Sequence, residues 1–194
     1  MVSAIVWLSK AKEMRDDEQD RCFSGKPTKN RNTDRLTASF VIGAEERNEV
    51  EVIPVHSYDI NPCIGCNTCF TSPGNECVQE DDMPLIYRKL KETDMIVIAS
   101  PVYFYGLSSQ LKAVIDRLHT PMRNRFPVRK LGLILVGAAE LPELFDAIIT
   151  QYRLVLNFFH LEDMGMVLVR GVREKGDLRE EDLKNAYSFG RSLK

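Results

Sequence analysis

The segment DMIVIASPVYFYGLSSQLKAVIDR (94–117) joins a continuous apolar run to an amphipathic stretch. The run at 94–101 ends at a proline and has the composition of a strand that is buried on both faces. The stretch at 107–120 places apolar residues at helical intervals. A buried strand that leads directly into a helix is typical of the βαβ unit from which parallel sheets are built.

The same alternation extends along the chain in both directions. Further strands are predicted at 3–9, 49–55, 131–139 and 164–171, and helices at 33–46, 81–93, 142–159 and 178–193. Five strands alternating with helices favour an α/β fold, a flavodoxin-like three-layer sandwich with a five-stranded parallel sheet in the order 2-1-3-4-5. No G-x-G-x-x-G follows the first strand, which argues against a dinucleotide-binding fold. We expect a ligand at the carboxyl ends of strands one, three and four.

Length and charge narrow the class of protein. A chain of 194 residues suits a single domain spanning 1–194. The net charge of −2 indicates no bulk attraction to nucleic acid. No apolar run is long enough to cross a bilayer, and the apolar start lacks a basic region before it and a cleavage site after it. We therefore expect no membrane partner and a cytoplasmic location.

Four of the five cysteines are crowded into a loop at 61–80, and they are Cys63, Cys66, Cys69 and Cys77. In a reducing compartment such thiols are metal ligands or redox groups more often than disulfides. The spacing admits an iron–sulfur cluster, a zinc ion, a dithiol or inert thiols, although two overlapping C-x2-C steps suit a cluster better than zinc. The acids at 80–82 are expected to favour a helix N-terminus. Cys22 lies apart, in a charged insertion near 10–23, and is expected to be a free thiol.

The loop after the third strand offers a wall for a flat ring. Pro101 ends the strand, and Gly106 would permit a tight bend before the next helix. Between them lie Val102, Tyr103, Phe104 and Tyr105. Their aromatic faces and backbone N–H groups could hold a ring that carries carbonyl groups, or the aromatics could simply pack under a neighbouring helix.

Three stretches together resemble one family. SPVYFYGLSSQLKAVIDR (100–117) is similar to the flavin-ring loop of the flavodoxin-like NADPH-dependent FMN reductase family. PCIGCNTCF (62–70) with CVQEDDM (77–83) resembles the cysteine segment of its iron–sulfur flavoprotein branch, and SGKPTKNRNTDRL (24–36) resembles its phosphate loop. The resemblance implies bound FMN, a [4Fe–4S] cluster on the four cysteines, and a homodimer or homotetramer in which a neighbouring subunit helps to form the flavin site.

The phosphate loop departs from the family form S-G-S-P-R-x-x-G-N-T. A charged stretch separates the first strand from Ser24, Lys26 replaces a serine, and Arg31 replaces a glycine. The resemblance assigns the phosphate to Ser24, Lys26, Asn32 and Thr33, with added positive charge from Arg31. Hydroxyls, a cation and a helix N-terminus are what a phosphate needs, although the same residues could form a plain surface loop. The insertion near 10–23 has little to bury and is expected to lie outside the core.

The function predicted is that of an FMN-dependent oxidoreductase, of the NAD(P)H:flavin or quinone type or of the iron–sulfur electron-transfer type. The alternative is an FMN-binding electron carrier without substrate turnover of its own. Its electrons would come from NAD(P)H or from a protein donor. The small residues Gly137, Ala138 and Ala139 after strand four would leave room for the ring. No side chain is predicted to act as a catalytic acid or base.

Overall fold

The computed structural model describes residues 3–10 and 31–194. Its strands are β1 (Ala4–Lys10), β2 (Asn48–Pro54), β3 (Met95–Pro101), β4 (Lys130–Val136) and β5 (Glu162–Val169). Its α-helices are α1 (Asn32–Ala44), α2 (Thr68–Thr71), α3 (Met83–Leu90), α4 (Ser109–Arg117), α5 (Asp146–Phe159) and α6 (Glu180–Ser192). Short 3-10 turns lie at Val55–Ser57, Pro73–Asn75, Pro121–Arg125 and Pro142–Phe145.

The five strands form one sheet in the order β2-β1-β3-β4-β5, which confirms the predicted order 2-1-3-4-5. β3, β4 and β5 are parallel, but β1 pairs antiparallel with both of its neighbours, so that Ala4 lies opposite Pro54 and Ala99. The prediction of an all-parallel sheet is therefore wrong for β1. Period-two alternation decides which face each side chain occupies, and reversal of a strand leaves those faces unchanged. The sequence pattern of a buried strand thus carries no information on its direction.

β1 divides its side chains between two cores, which makes the molecule three-layered. Ile5 and Trp7 belong to the core beneath α3, α4 and α5, whereas Val6 and Leu8 belong to the core beneath α1 and α6. Each of these four side chains is at most 6% exposed. This arrangement confirms the flavodoxin-like sandwich. Within the described ranges, no helix combines the length and the apolar character needed to cross a membrane.

α1 and α6 touch through glycines. A Cβ atom added at Gly43 would lie 2.1 Å from the carbonyl oxygen of Tyr187, and one added at Gly190 would lie 2.1 Å from that of Phe40. No side chain fits at such distances, so each glycine lets one helix rest on the backbone of the other. This contact fixes where α1 begins relative to the end of the sheet.

Candidate functional site

The loop after β3 forms a tight two-residue turn at the carboxyl edge of the sheet. Tyr103 and Gly106 pair through both backbone hydrogen bonds, at 3.0 and 2.9 Å. The turn residues Phe104 and Tyr105 are left-handed, with φ of 48° and 64°. The sequence placed the bend at Gly106, but two bulky residues make it, at a cost of about 1–2 kcal/mol each. Such strain is often kept where a ligand or partner uses the conformation.

The aromatic side chains of this turn do not pack under a helix. Phe104 is 99% exposed, and Tyr103 and Tyr105 are about half exposed. In the described part of the chain, no acceptor pairs with the backbone N–H groups of Phe104 and Tyr105. Free donors beside exposed aromatic faces suit a flat ring that carries carbonyl oxygens, so the residues present fit the isoalloxazine ring of FMN.

Three buried hydroxyls fasten the base of the ring loop. Ser3 Oγ lies 2.6 Å from Ser108 Oγ and 3.3 Å from Ser100 Oγ. Ser108 also caps α4 by accepting a hydrogen bond from the N–H of Leu111. Because β1 is reversed, its amino end lies at this edge. The expectation that the carboxyl end of the first strand would lie there is wrong.

The candidate phosphate site is only partly within the described residues. Ser24, Lys26 and the insertion at 11–23 lie outside them. Asn32 and Thr33 open α1, but the Asn32 amide donates to the Glu174 carbonyl (2.7 Å) and accepts from the Gly176 N–H (3.2 Å). Thr33 is buried. These two side chains therefore anchor the helix, and the backbone N–H groups of its first turn are left as the phosphate donors.

The start of α1 and the ring loop lie at the same edge. Burial raises the pKa of Tyr103, and the nearby positive charge of Arg31 lowers it in part. The fold thus brings together residues that the sequence assigns to the phosphate and to the ring.

The small residues after β4 serve packing rather than the ring. A Cβ atom at Gly137 would lie 2.4 Å from Cδ2 of Leu144 and 3.3 Å from Phe145. Gly137 is therefore required by the 3-10 turn at Pro142–Phe145. Ala138 is exposed and remains open to a ligand.

The cysteine loop is closed at its base by paired backbone segments. Asp59 and Asp82 exchange two hydrogen bonds, at 2.8 and 2.9 Å, and Gln79 donates to the Pro62 carbonyl at 3.1 Å. The loop base, defined as residues 59–62 and 79–82, therefore holds the ends of the loop together in the protein alone.

A buried arginine completes this base. Arg117 donates to Asp81 Oδ2 at 2.6 Å and to the Asn61 carbonyl at 3.0 Å, while Asp81 accepts from the Asn61 N–H at 3.0 Å. Burial by itself would raise the pKa of Asp81, but hydrogen bonds from Arg117, Met83 and Asn61 hold that pKa below its usual range. Sequence analysis missed Arg117. Arg117 lies three residues after Val114 and six after Leu111, both buried, so it places a charge on the apolar face of α4, and this signal could have found it.

The four sulfurs lie in one loop but in different environments. Cys63 and Cys66 are exposed, Cys69 and Cys77 are half-buried, and all four are free thiols. Burial raises the pKa of Cys69, and the other three cysteines add to the effect, whereas a hydrogen bond from Thr68 lowers the pKa of Cys66. Over residues 3–10 and 31–194, no three His, Cys, Asp or Glu side chains converge as ligands. The donor chemistry fits a thiolate-bound cluster, and convergence requires the loop to close further.

Comparison with known proteins places the chain in a family. The family model for NADPH-dependent FMN reductases matches residues 22–186. An iron–sulfur flavoprotein of Archaeoglobus fulgidus is 31% identical over 173 residues, which cover 87% of this chain and 76% of that relative. An iron–sulfur flavoprotein of Methanocaldococcus jannaschii is 41% identical over 121 residues, which cover 61% of this chain and 61% of that relative. This chain therefore matches about three fifths of the length of that relative.

A solved structure shares the fold at low sequence identity. The NAD(P)H:quinone oxidoreductase of Methanothermobacter marburgensis superposes with a TM-score of 0.63 at 15% identity, over 82% of this chain and 88% of that one. At the level of the family, the expected class of FMN-dependent oxidoreductase and the expected FMN cofactor are confirmed. The chain belongs to the NADPH-dependent FMN reductase family, in its iron–sulfur flavoprotein branch.

Proposed function

We propose that this chain is one FMN-binding oxidoreductase domain in which the loop 101–106 holds the flavin ring and the start of α1 holds the phosphate. The observation that carries this assignment is the exposed turn of Phe104 and Tyr105, whose two backbone N–H groups have no acceptor among the described residues. When bound, FMN supplies electron transfer in steps of one or two electrons, which the side chains present cannot supply.

Each element of the site has a simple task. The N–H groups of Phe104 and Tyr105 would donate to carbonyl oxygens of the bound ring, and the aromatic side chains beside them would cover one of its faces. The N-terminus of α1 and the charges of Arg31 and Lys26 attract the phosphate, with Ser24 as a further donor. Burial raises the pKa of Tyr103, and its phenol would be a further hydrogen-bond donor beside the ring. We assign no side chain as a catalytic acid or base.

We also propose that Cys63, Cys66, Cys69 and Cys77 hold a [4Fe–4S] cluster. Support comes from the four free thiols in one loop and from the relatives named iron–sulfur flavoproteins. Gly65 has φ of 68°, and a Cβ atom added there would meet no described atom within 4 Å, so this exposed part of the loop leaves space for a cluster. Hydrogen bonds from Thr68 lower the pKa of Cys66 most, and the positive charge of Arg117 adds a small lowering, so both favour a thiolate. A cluster would supply a one-electron store beside the flavin.

The electron donor and the assembly belong to the same proposal. NAD(P)H as donor is supported by the family, and a homodimer or homotetramer is supported by the exposed side chain of Phe104, which a neighbouring subunit could cover. The free thiols suit the reducing cytoplasm. The rival proposal is an electron carrier without turnover. Rapid oxidation of NAD(P)H by the purified protein supports the enzyme, and reduction only by a protein donor supports the carrier.

The ring loop is tested by Gly106→Val. The added Cβ would meet only the Tyr103 carbonyl oxygen, at 3.5 Å, so the fold should survive. We expect the Kd for FMN to rise at least about tenfold, since the side chain occupies space next to the ring. Thr150→Val, at an exposed position of α5 outside the candidate site, is the control, and its FMN affinity should stay near that of the parent. Unchanged FMN binding in Gly106→Val would show that the ring lies elsewhere.

The cluster is tested by four single Cys→Ala variants. Each should lose iron and labile sulfide to a similar extent, because a four-thiolate site fails when any ligand is missing. FMN should remain in all four, and Cys22→Ala should keep both groups. Iron, sulfide and zinc are measured after anaerobic purification. Absence of iron from the parent protein would contradict the cluster proposal. If zinc is found instead, the site is a structural zinc site. If neither metal is found, the four cysteines are a dithiol or inert thiols.

A further inference from the structure

A large cavity lies between the sheet and the helices α3, α4 and α5, and it reaches Leu107, the residue that follows the ring loop. Its volume is about 560 Å³, which is within the usual range for small-molecule sites. Residues 101–106 do not line it. Its walls reach Leu90 at the end of α3 and Leu131 at the start of β4, so it extends toward the amino edge of the sheet.

Most of the cavity wall is aliphatic. Strand residues supply one side, among them Ile5, Ile96 and Leu133, and helix residues supply the other, among them Val114, Ile148 and Val155. The aromatic side chains of the lining are fewer, and they are Trp7, Phe126, Tyr152, Phe158 and Phe159. A flexible hydrocarbon chain can contact both kinds of wall, because it adapts its shape to them. The lining therefore suits an aliphatic chain.

The charged groups of the lining are all of basic type. They are Arg123, Arg129 and His160, and among the described residues no Asp or Glu lines the cavity. The Arg123 guanidinium lies over the Phe158 ring, with Cζ 5.2 Å from its centroid, and Arg129 donates to the Val128 carbonyl at 3.2 Å. Neither arginine is ion-paired with a carboxylate within the described ranges. Both can thus attract an anionic group.

An unsatisfied donor points to the same chemistry. Trp7 lines the cavity and is 3% exposed, and its indole Nε1 has no hydrogen-bond partner among the described residues. A buried N–H without a partner costs about 1–3 kcal/mol. A ligand that carries an acceptor oxygen would remove this cost, which an empty or purely hydrocarbon-filled cavity would not.

We propose that this cavity binds an amphiphile with one aliphatic chain and one anionic oxygen group, a fatty acid. The aliphatic walls receive the chain, and the two arginines with the Trp7 N–H receive the carboxylate. The proposal does not depend on the flavin or the cluster, because neither is placed at this cavity. It adds a lipid-like ligand to a redox domain.

Intrinsic tryptophan fluorescence reports ligand binding at this cavity, because Trp7 is the only tryptophan of the chain. Laurate, dodecanol and dodecyltrimethylammonium, each below its aggregation concentration, are titrated into the purified full-length protein while tryptophan emission is followed. We expect a saturable change with laurate, an affinity at least about tenfold weaker for dodecanol, and no binding of the cationic amphiphile. Equal binding of all three would overturn the proposal.

Variants separate head-group binding from chain binding. Arg129→Gln and Arg123→Gln should each weaken the affinity for laurate about fivefold to tenfold and leave the affinity for dodecanol unchanged. Arg153→Gln, on the exposed side of α5, is the matched control and should bind laurate like the parent. Val155→Phe should weaken laurate and dodecanol alike, because it fills the cavity; Ile115→Phe is the second variant if the first does not fold.

Two results contradict the proposal outright. One is the absence of any laurate response in a parent protein that is folded by circular dichroism. The other is a laurate affinity that neither arginine variant changes, since the carboxylate would then lie elsewhere. If laurate fails to bind and Val155→Glu dissociates an oligomer on size-exclusion chromatography, the cavity belongs to an interface between copies of this chain.

Discussion

Arg117 and Asp81 form a buried ion pair, with Nη1 2.6 Å from Oδ2 and side-chain exposures of 2% and 0%. Arg117 ends α4, whose first turn follows the ring loop, and Asp81 ends the cysteine loop. One short helix therefore connects the candidate flavin loop to the candidate cluster loop. The rigidity of that connection depends on this pair, because it ties the loop base to the helix.

Loss of one partner of this pair should be costly. Asp81→Asn and Arg117→Met each leave a buried group without its partner, and we expect unfolding free energy to fall by about 3–5 kcal/mol. Urea denaturation of the metal-free protein measures it. Lys112→Gln breaks the exposed pair with Asp116 on the same helix and should cost less than about 0.5 kcal/mol.

A double variant separates the effect of the ion pair on the cysteine loop from its effect on overall stability. Arg117→Met with Asp81→Leu replaces the pair by apolar groups and should recover much of the stability. It still lacks the hydrogen bonds to Asn61, so hydrogen exchange in 61–80 should be faster than in the parent. Parent-like exchange in the double variant would show that the pair does not hold the loop.

The same pair predicts the acid stability of the protein. The pKa of Asp81 is held below its usual range, so its carboxylate stabilises the fold above the unfolded pKa of about 4. That contribution is lost as the pH falls through the lower folded pKa. Unfolding free energy measured from pH 7 down to pH 3 should fall less steeply in Asp81→Asn than in the parent. An unchanged slope would contradict this assignment.

A second carboxylate provides the comparison. The pKa of Asp182 is also lowered, by hydrogen bonds from Arg179 that outweigh its burial. Asp182→Asn should therefore remove a separate part of the loss of unfolding free energy that occurs at low pH. Because the Arg179 side chain is 71% exposed, this part should be smaller and should shrink in high salt.

The sequence predicted the order of the sheet because buried strands and amphipathic helices have distinct periods. Val97 and Ile134 are completely buried, as a doubly covered sheet requires. It did not predict the direction of β1, since Ile5 and Trp7 face the same layer in either direction. Strand direction depends on the path of the connection, and residues 11–30 lie outside those that the structure describes.

Sequence motifs predicted the residues of the candidate site, but they did not predict the long-range contacts that hold those residues in place. Loop 101–106 and Asn32 were placed at one edge from local sequence, and the structure brings them there. The bond between Asn32 and Glu174, and the ion pair of Arg117 with Asp81, join residues far apart in the chain. Local patterns do not encode such pairs. Asp81 was instead expected to favour a helix N-terminus, and it does accept from the Met83 N–H.

The cysteine thiols should react at different rates in the metal-free protein. The Thr68 hydroxyl lowers the pKa of Cys66, whereas burial raises that of Cys69, so Cys66 holds more thiolate near pH 8. We expect iodoacetamide to alkylate Cys66 several times faster than Cys69, as followed by peptide mass spectrometry. Thr68→Val should slow the alkylation of Cys66, because the Cys66 sulfur loses a hydrogen-bond donor.

The neighbouring Thr71 serves as the control for this measurement. Its hydroxyl donates to the Thr68 carbonyl at 3.2 Å rather than to a sulfur, so Thr71→Val should leave the rate at Cys66 unchanged. Equal rates for Cys66 and Cys69 in the parent, or equal effects of the two threonine variants, would show that the hydroxyl does not activate Cys66.

The contact of α1 with α6 should fail when a glycine gains a side chain. Gly43→Ala or Gly190→Ala places Cβ 2.1 Å from a backbone oxygen, so the helices must separate. Alanine favours a helix by about 1 kcal/mol over glycine. We nevertheless expect a net loss of about 1–3 kcal/mol, because overpacking outweighs propensity. Thermal unfolding measures it, with exposed Ile42→Ala on α1 as the control.

The same variants test the phosphate site. α1 carries Arg31 at its start, so a displaced helix moves the groups that we assign to the phosphate while the loop 101–106 stays on β3. Gly43→Ala should therefore weaken FMN more than riboflavin, which has the ring but no phosphate. Flavin fluorescence titrations give both affinities. Equal losses for the two flavins would mean that α1 does not bind the phosphate.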